Sequence, residues 1–176
     1  IVPEGYDNYQ QTHAVREKYF GDQLPASTTV VVDKLLADDA LVEIDMFAVR
    51  NGDRTDLRLR SLSGSTSPSG VRKGNLIFVG GQLATDSYGE DARTQIQNCL
   101  TQIRSVVQSA GGTIKDIARI VVYFSKEGDL GYKEILEEIN RYFTNEVPSV
   151  TCLGVNNVSD PHLCVEMNAV AELLIQ

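Results

Sequence analysis

The feature of this sequence that most constrains its fold is an internal duplication. The segment YFGDQLPASTTVVVDKLLADDALVEIDMFA at 19–48 aligns without a gap to YFTNEVPSVTCLGVNNVSDPHLCVEMNAVA at 142–171, at an offset of 123 residues. A repeat at so long a spacing indicates a duplicated domain rather than a solenoid unit. The two copies are identical at Tyr19/Tyr142, Phe20/Phe143, Pro25/Pro148, Thr28/Thr151, Val32/Val155, Val42/Val165, Glu43/Glu166 and Ala48/Ala171.

Too few residues precede the second copy for the first copy to be whole. We predict that residues 1–50 are the rear half of a first copy and that residues 51–176 are a complete second copy. The polar turn Asn51-Gly52-Asp53 is the predicted boundary. We therefore expect either that the chain is the tail of a longer polypeptide, or that the half-copy finds its complement in a companion chain.

Composition and charge narrow the functional classes. The formal net charge of −8 argues against a nucleic-acid partner, since phosphate binding draws on clustered Lys and Arg. No apolar run approaches the ~18 residues that span a bilayer, and no signal-peptide pattern opens the chain, so no membrane partner is predicted. The three cysteines, Cys99, Cys152 and Cys164, lack CxxC spacing. We therefore predict reduced thiols and a cytoplasmic location.

Hydrophobic periodicity predicts alternating strands and helices. In the first half-copy it predicts a helix over 7–20 and strands over 27–33 and 40–49. In the second copy it predicts the order β-β-β-α-β-α-β-β, with Gly80-Gly81 ending one strand. The strands located by residue are 56–62, 75–79, 117–124, 149–155 and 163–174, and the helices are 92–110 and 130–143, with a Ser, Gly and Pro-rich loop at 61–70.

This order of elements predicts a mixed sheet with both helices on one face, because right-handed crossovers leave few alternatives. The strands are rich in Val, Ile and Leu, yet no third helix is available to cover the other face. We therefore expect that face to pack against other copies, so that the chain self-associates.

Five motifs, in the same order along the chain, resemble the RidA (YjgF/YER057c/UK114) superfamily. The first, at 74–82, resembles the family's GNLIFVSGQ segment. The others are the helix that ends at Gly111-Gly112, the strand that follows Asp116, the Tyr142-Phe143 to Pro148 stretch, and the Cys164 to Ala171 strand. The resemblance implies a chorismate-mutase-like α+β fold in a trimeric or pseudo-trimeric assembly, with sites between subunits. It also implies hydrolysis of reactive enamines and imines such as 2-aminoacrylate to keto acids and ammonia.

The family residues that would hold such a substrate are only partly present. The family Arg two residues after Pro, which would hold the substrate carboxylate, is replaced by Val150 in the second copy and by Ser27 in the first. The family's active-site Tyr is replaced by Ser67. Cys152 and Glu166 match a family Cys and the family Glu associated with positioning water. Without the cationic clamp, we expect weak deaminase activity on carboxylate substrates.

The candidate site residues follow from these matches and from strand alternation. Glu166 and Cys152 are the candidate catalytic residues. Alternation places Cys164 and Asn168 on the face of Glu166, and that face is interpreted either as a site together with Cys152 or as a structural subunit contact. The candidate substrate-binding residues are Ser67, Val150, Asn168, Arg58 and Arg60, the two arginines being possible substitutes for the missing cation. No metal-ligand spacing or phosphate loop is present, so no cofactor or metal is predicted.

Two classes of function remain open. The first is an enzyme on a small metabolite, a hydrolase, lyase or deaminase with a diverged site at the interface between copies. The second is a non-catalytic module that binds a small molecule or assembles a larger enzyme.

Overall fold

The structure is a computed structural model that describes residues 1–6, 8–59, 67–144 and 146–174. These residues form four α-helices: α1 Pro3–Tyr6, α2 Tyr9–Phe20, α3 Ala92–Ser109 and α4 Tyr132–Phe143. They also form eight strands: β1 Val30–Val31, β2 Arg54–Leu57, β3 Gly70–Lys73, β4 Leu76–Leu83, β5 Ile117–Ser125, β6 Ser149–Val155, β7 Asn157–Val158 and β8 Val165–Glu172.

Six of the described strands form one mixed sheet in the order β2-β3-β4-β8-β5-β6. β5 and β6 run parallel, and the other neighbours run antiparallel. From β2 onwards the element order is the predicted β-β-β-α-β-α-β-β, with the two-residue β7 added before the last strand. The predicted mixed α+β sheet is therefore confirmed.

Both long helices of the second copy cover the same face of this sheet. The buried stripe of α3, including Ile96, Leu100 and Ile103, packs with Ile135 and Ile139 of α4. The inward side chains of the central strands join the same core: Ile77, Val79, Ile120, Val122, Met167, Ala169 and Ala171. The Asp91 side chain caps α3 by accepting the Thr94 N–H at 2.7 Å. The fold therefore leaves the other sheet face for contacts with residues outside the two helices.

Residues 1–50 occupy that second face. Backbone N–H groups of Gly81 and Asn156 donate to the carbonyls of Ser27 and Val31, at 2.9 and 2.8 Å. β1 pairs antiparallel with β7 in a separate two-stranded sheet. This face was expected to pack against other copies. In the structure, residues of the first half of the same chain lie across it.

Some predicted boundaries are wrong. Gly80-Gly81 does not end a strand, because β4 continues to Leu83 with a bulge between Val79 and Gln82. The strand at Gly70–Lys73 falls partly within the segment interpreted as a loop. Of the strand predicted at 27–33, only Val30–Val31 pairs. The strand predicted at 40–49 is absent from the structure, because among the described residues no strand pairs with it to satisfy its backbone.

The first 50 residues nevertheless repeat local geometry of the second copy at the same offset of 123. Helices α2 and α4 begin at Tyr9 and Tyr132 and end at Phe20 and Phe143, and each is followed by a residue with positive φ. The Val2 N–H donates to the Leu41 carbonyl at 3.2 Å, as the Ser125 N–H donates to the Cys164 carbonyl at 2.9 Å.

A strand pairing is repeated at the same offset. The Ile1 amine donates to the Val30 carbonyl at 3.1 Å, and the Val32 N–H donates to the Ile1 carbonyl at 2.9 Å. These two bonds set Ile1 beside Val31, as Phe124 is set beside Gly154 where β5 meets β6.

A buried carboxylate joins the two helices of the second copy. Glu138 is 1% exposed and accepts hydrogen bonds from Arg93 at 2.7 Å, Arg141 at 2.6 Å and Gln97 at 3.1 Å. Burial by itself raises the pKa of Glu138, but the bonds from Gln97 and Arg93 and the charge of Arg141 outweigh burial and hold the pKa below its ordinary value. Its contribution to stability is therefore present at neutral pH and is lost as the pH falls through this lowered pKa.

We expect Glu138→Gln to lower the free energy of unfolding by about 1–3 kcal/mol at pH 7, because Gln removes the charge that both arginines contact. The deficit should shrink as the pH falls below 4.5, where the parent carboxylate also becomes protonated. Urea unfolding between pH 3 and pH 8 measures this. The matched control is Glu137→Gln, whose half-exposed carboxylate lies 4.0 Å from Lys133 and should change stability little. Equal stabilities of the two variants at every pH would show that the bonds of Glu138 to Arg93, Arg141 and Gln97 do not stabilise the fold.

In the described part of the chain, none of the helices combines the length and apolar character that crossing a bilayer requires.

Candidate active site

Glu166 lies at the centre of the candidate site, on β8 and on the sheet face away from the helices. Its side chain is 2% exposed, and its Oε2 accepts the backbone N–H of Ser159 at 2.9 Å. Burial raises the pKa of Glu166 to about 7, against the opposing effect of the Ser159 and Thr29 hydrogen bonds. Among the described residues, no cation forms an ion pair with this carboxyl group. A carboxyl with this pKa can both accept and donate a proton near neutral pH.

The Gly80-Gly81 bulge makes room for this carboxyl group. A Cβ at Gly81 would overlap Glu166 Oε1 and would lie 2.8 Å from its Cδ. A Cβ at Gly80 would lie 2.9 Å from the Ser27 carbonyl oxygen. The two glycines therefore allow the carboxyl on one strand and the Ser27 backbone of the first 50 residues to approach β4 closely.

The segment Ser27–Thr29 covers the carboxyl from the other side. The Gly81 N–H donates to the Ser27 carbonyl, and the Thr29 backbone hydrogen-bonds to Glu166. Asn168 donates from Nδ2 to Thr28 Oγ1 at 3.0 Å. These contacts bring the Ser27–Thr29 segment onto the carboxyl of Glu166.

Two tyrosines border this site. The Tyr6 hydroxyl donates to the Ser159 carbonyl at 3.0 Å, next to the N–H that binds Glu166. Burial, followed by the charges of Asp160 and Glu166, raises the pKa of Tyr6. Tyr123 lies beside Glu166 across the β5–β8 pairing, with its hydroxyl 3.5 Å from Asn168 Nδ2. Sequence reasoning missed both tyrosines, although strand alternation on β5 would have placed Tyr123 on the face of Glu166.

Three of the predicted site residues lie elsewhere. Cys152 and Val150 are beside Val122 and Ile120, and the four side chains face the helices, so neither residue lines a site with Glu166. Burial raises the pKa of the Cys152 thiol, which opposes a role as nucleophile. Cys164 also lies away from Glu166, because β8 begins after it and its thiol contacts Gln95 Oε1 on α3 at 3.2 Å. Cys152, Val150 and Cys164 therefore do not lie with Glu166 in the structure, whereas Asn168 lies on the same face of β8 as Glu166.

Ser67 and Arg58, two of the remaining predicted residues, lie near α2. Arg16 on α2 donates from Nη2 to Ser67 Oγ at 3.1 Å. Arg58 approaches Asp56 at 3.6 Å and lines an open cleft of about 480 Å³ with Glu17, Gly21, Asp22 and Leu24. Glu17 and Asp22 outweigh the charge of Arg58, so the described residues that line the cleft lack the net positive charge that binding a carboxylate needs. Arg60 lies outside the described residues.

The described residues were also compared with the ligand sets of metal sites. Among the described residues, no group of three or more His, Cys, Asp or Glu side chains is arranged to hold a metal ion.

Comparison with known protein families identifies the family of this chain. A family model described as Endoribonuclease L-PSP matches residues 62–173, which is well over half of the chain. The chain belongs to the Endoribonuclease L-PSP family. This confirms the superfamily resemblance predicted from the five motifs. The match covers β4, α3, β5, α4, β6 and β8, and it includes Glu166, Gly81 and Tyr123.

Curated relatives are identical to this family member at about a quarter of the aligned positions. A RutC family protein of Pyrococcus abyssi is 27% identical over 106 residues, which cover 57% of this chain and 81% of the relative. The 3-aminoacrylate deaminase RutC of Acinetobacter baylyi is 28% identical over 104 residues, covering 56% of this chain and 80% of the enzyme.

A solved structure shows the same fold. The crystal structure of a YjgF/YER057c/UK114 family member from Mycobacterium tuberculosis superposes with a TM-score of 0.59 at 25% identity. The superposition covers 69% of this chain and all of that chain. The predicted YjgF-like fold class is thereby confirmed.

Proposed function

We propose that this family member is an enzyme of the RidA type that acts on a small metabolite, as an imine or enamine deaminase or a related hydrolase or lyase, through a diverged site. The observation that carries the proposal is the buried carboxyl of Glu166, which has a pKa of about 7 and faces Ser27–Thr29 across Gly81. A general base is most effective when its pKa lies near the working pH. The relationship to a 3-aminoacrylate deaminase supports the reaction class.

In this proposal Glu166 orients water or transfers a proton, and Asn168, Tyr123 and Tyr6 supply polar groups at its border. Hydrolysis of an imine adds water to the C=N carbon, and the collapse of the carbinolamine expels ammonia and leaves a carbonyl group. One residue that accepts a proton from water and returns it to the departing nitrogen serves both steps. Because Glu166 is covered, substrate entry requires the Ser27–Thr29 segment to move away from β4.

The site differs from the family pattern in its charge. The described residues supply no cation beside Glu166, and Val150 and Ser27 cannot form the bidentate contact that an Arg makes with a carboxylate. The proposal is therefore that the substrate differs from the 2-imino acids expected of the family. The family's name refers to RNA cleavage, but a chain of net charge −8 is poorly suited to a polyanion.

We expect this chain to release ammonia from 2-aminoacrylate at least ~10-fold more slowly, as kcat/KM, than an Arg-bearing relative, because one lost charge-assisted contact costs about 1.5–3 kcal/mol. The measurement is ammonia release, with semicarbazide competition, run in parallel on the two proteins. The corresponding neutral amide is the control substrate, and its rates should differ less between the two proteins. Comparable rates on 2-aminoacrylate would show that the missing Arg has been replaced or is not needed.

The tandem organisation belongs to the same proposal. We interpret residues 1–50 as the rear half of one copy and residues 51–176 as a complete second copy, which is supported by the repeated helix bounds and backbone hydrogen bonds. The candidate site then lies between copies, in keeping with a trimeric or pseudo-trimeric assembly. A cytoplasmic location, as the cysteine spacing predicts, is part of the same proposal.

A second candidate function is a non-catalytic module that binds a small molecule or assembles a larger enzyme. The observation that favours it is the 2% exposure of Glu166, since a covered carboxyl can serve as a structural acceptor. A stable chain that releases no ammonia from any imine or enamine, and in which Glu166→Gln lowers stability alone, would select this module.

A further inference from the structure

Among the described residues, no strand pairs with the segment 42–49, which lies on the surface of the molecule. Apolar and charged residues alternate from Val42 to Met46, with Val42, Ile44 and Met46 on one side and Glu43 and Asp45 on the other, and Phe47 follows on the second side. Ile44 is 73% exposed and Met46 is 69% exposed. An apolar alternation of this length is typical of a strand, and an unpaired strand of this kind recruits a partner strand.

The internal repeat shows which strand of the sheet this segment corresponds to. At the offset of 123 the segment corresponds to β8, which lies between β4 and β5 in the centre of the sheet. Ile44 corresponds to Met167 and Met46 corresponds to Ala169, which are 0% and 2% exposed under the helices. The side of the segment that carries Ile44 and Met46 therefore corresponds to the side of β8 that packs against the helices.

The structure holds this segment in a suitable orientation. Phe47, on the opposite side, stacks on Phe78 of β4 with ring centroids 6.3 Å apart. Phe47 is itself 74% exposed, so this ring contact tethers the segment to β4 while Ile44 and Met46 stay exposed to solvent. Next to it, Val2 already bonds to Leu41 in the way that Ser125 bonds to Cys164, so the end of a β5-like strand is in place.

Helix α2 also carries exposed apolar side chains. It corresponds to α4, which buries Ile135, Ile139 and Phe143 in the core. The corresponding residues of α2 are Thr12, Arg16 and Phe20, and none of them is buried. Val15, Tyr19 and Phe20 of α2 are exposed apolar side chains. A helix and a central strand are therefore present without the strands and helix that would cover them.

We propose that residues 41–49 and α2 form a docking surface for the front half of a RidA-type copy. The occupant is a polypeptide that supplies a β4-like strand, an α3-like helix and a β5-like strand. Its β4-like and β5-like strands pair with the two edges of residues 41–49, and its helix covers Ile44 and Met46. This inference rests on the proposed duplication, and it adds a specific surface, register and partner. Pairing along both edges is strand addition of the kind used in peptide recognition.

The test adds the elements of the proposed occupant, in register, to residues 1–176. Residues 54–123 of this chain are duplicated directly before Ile1, so that Tyr123 precedes Ile1 as it precedes Phe124. Amide hydrogen exchange is then followed at residues 42–48. We expect exchange there to slow by ~100-fold or more relative to the unextended chain, since amides of central strands open only with most of the fold. The amides of β8 report whether the second copy is intact.

Two matched variants test the face and the register. Ile44→Asp in the extended chain should abolish the protection, because its counterpart Met167 is fully buried. Val49→Asp should retain the protection, because its counterpart Glu172 is exposed. Rapid exchange at 42–48 while β8 stays protected would overturn the proposal, and so would protection that Ile44→Asp leaves unchanged.

A second copy of this chain is the competing occupant. Protection at 42–48 that rises with concentration in the unextended chain, together with a dimer in sedimentation, would overturn the proposal in favour of self-association. If the extended chain does not fold, residues 54–123 are co-expressed with the unextended chain. Co-purification that Ile44→Asp abolishes supports the proposal, and its absence overturns it. None of these measurements uses enzymatic activity. They can therefore be interpreted even if the chain is not an enzyme, and a negative result in them does not affect the kinetic tests of the proposed function.

Discussion

Glu166→Gln is expected to lower turnover of an imine or enamine substrate by about 10²–10⁴-fold, the usual contribution of a general acid or base. Gln keeps the size of the side chain and can still accept the Ser159 N–H, but it can no longer exchange a proton with water. The measurement is steady-state ammonia release. The matched control is Glu172→Gln, on the same strand and the same face, where an exposed carboxylate accepts a hydrogen bond from Asn75 at 2.7 Å. That control should keep full activity.

Stability against pH tests whether Glu166 is buried with a raised pKa, and activity measured on the folded Gln variant separates a catalytic role from a structural one. Because burial raises the pKa of Glu166 from 4.5 to about 7, the folded chain binds more protons than the unfolded chain between these values. Stability therefore falls as the pH rises through this window, by an amount on the order of 3 kcal/mol. The Gln variant lacks this loss and should gain on the parent between pH 5 and pH 8. If Glu166 acts only as a structural acceptor, the weakened hydrogen bonds add a loss of about 1–3 kcal/mol to this pH dependence, and activity falls only as the protein unfolds.

Gly81→Ala is expected to displace the Glu166 carboxyl, since the new methyl group would overlap Oε1 and β4 is held in place by its pairing with β8. We expect a loss of about 1–3 kcal/mol in unfolding free energy from overpacking. We also expect a loss of activity comparable to that of Glu166→Gln. Thermal unfolding and ammonia release on one preparation measure both quantities.

The control for Gly81→Ala is Gly154→Ala on β6, where a Cβ would meet only the Phe124 ring at 3.8 Å, an ordinary contact. This variant should stay within about 0.5 kcal/mol of the parent. A Gly81→Ala variant with unchanged melting temperature and unchanged kinetics would show that the carboxyl does not lie against β4.

Much of the second copy could be predicted from the sequence, because its pattern and its packing agree. The helical spacing from Ala92 to Ala110 predicted α3 because the same residues form the buried stripe. The segment at 40–49 has the pattern of a strand, yet it forms none among the described residues. A strand needs a neighbour for its backbone, and the presence of a neighbour is not a property of the segment's own sequence.

The candidate site was predicted less completely than the fold. Glu166 was identified by its match to the family Glu, and Asn168 was added because strand alternation places it on the same face. Cys152 was assigned to that face because the sequence does not state how two strands are aligned, and pairing with Val122 turns it to the helices. Tyr6 and Ser27–Thr29 reach Glu166 through contacts between residues more than 100 positions apart, which no local pattern reports.

The pH dependence of kcat/KM for ammonia release tests the account most directly, with the imine or enamine that the chain hydrolyses fastest. Because kcat/KM reports groups on the free enzyme, the account predicts a change in rate governed by a single group of pKa about 7. In Glu166→Gln this dependence should disappear along with most of the activity. A profile that is flat from pH 5 to pH 9 in the parent chain, or one that keeps its midpoint near 7 in Glu166→Gln, would contradict the assignment of Glu166 as the proton-transferring residue of this site.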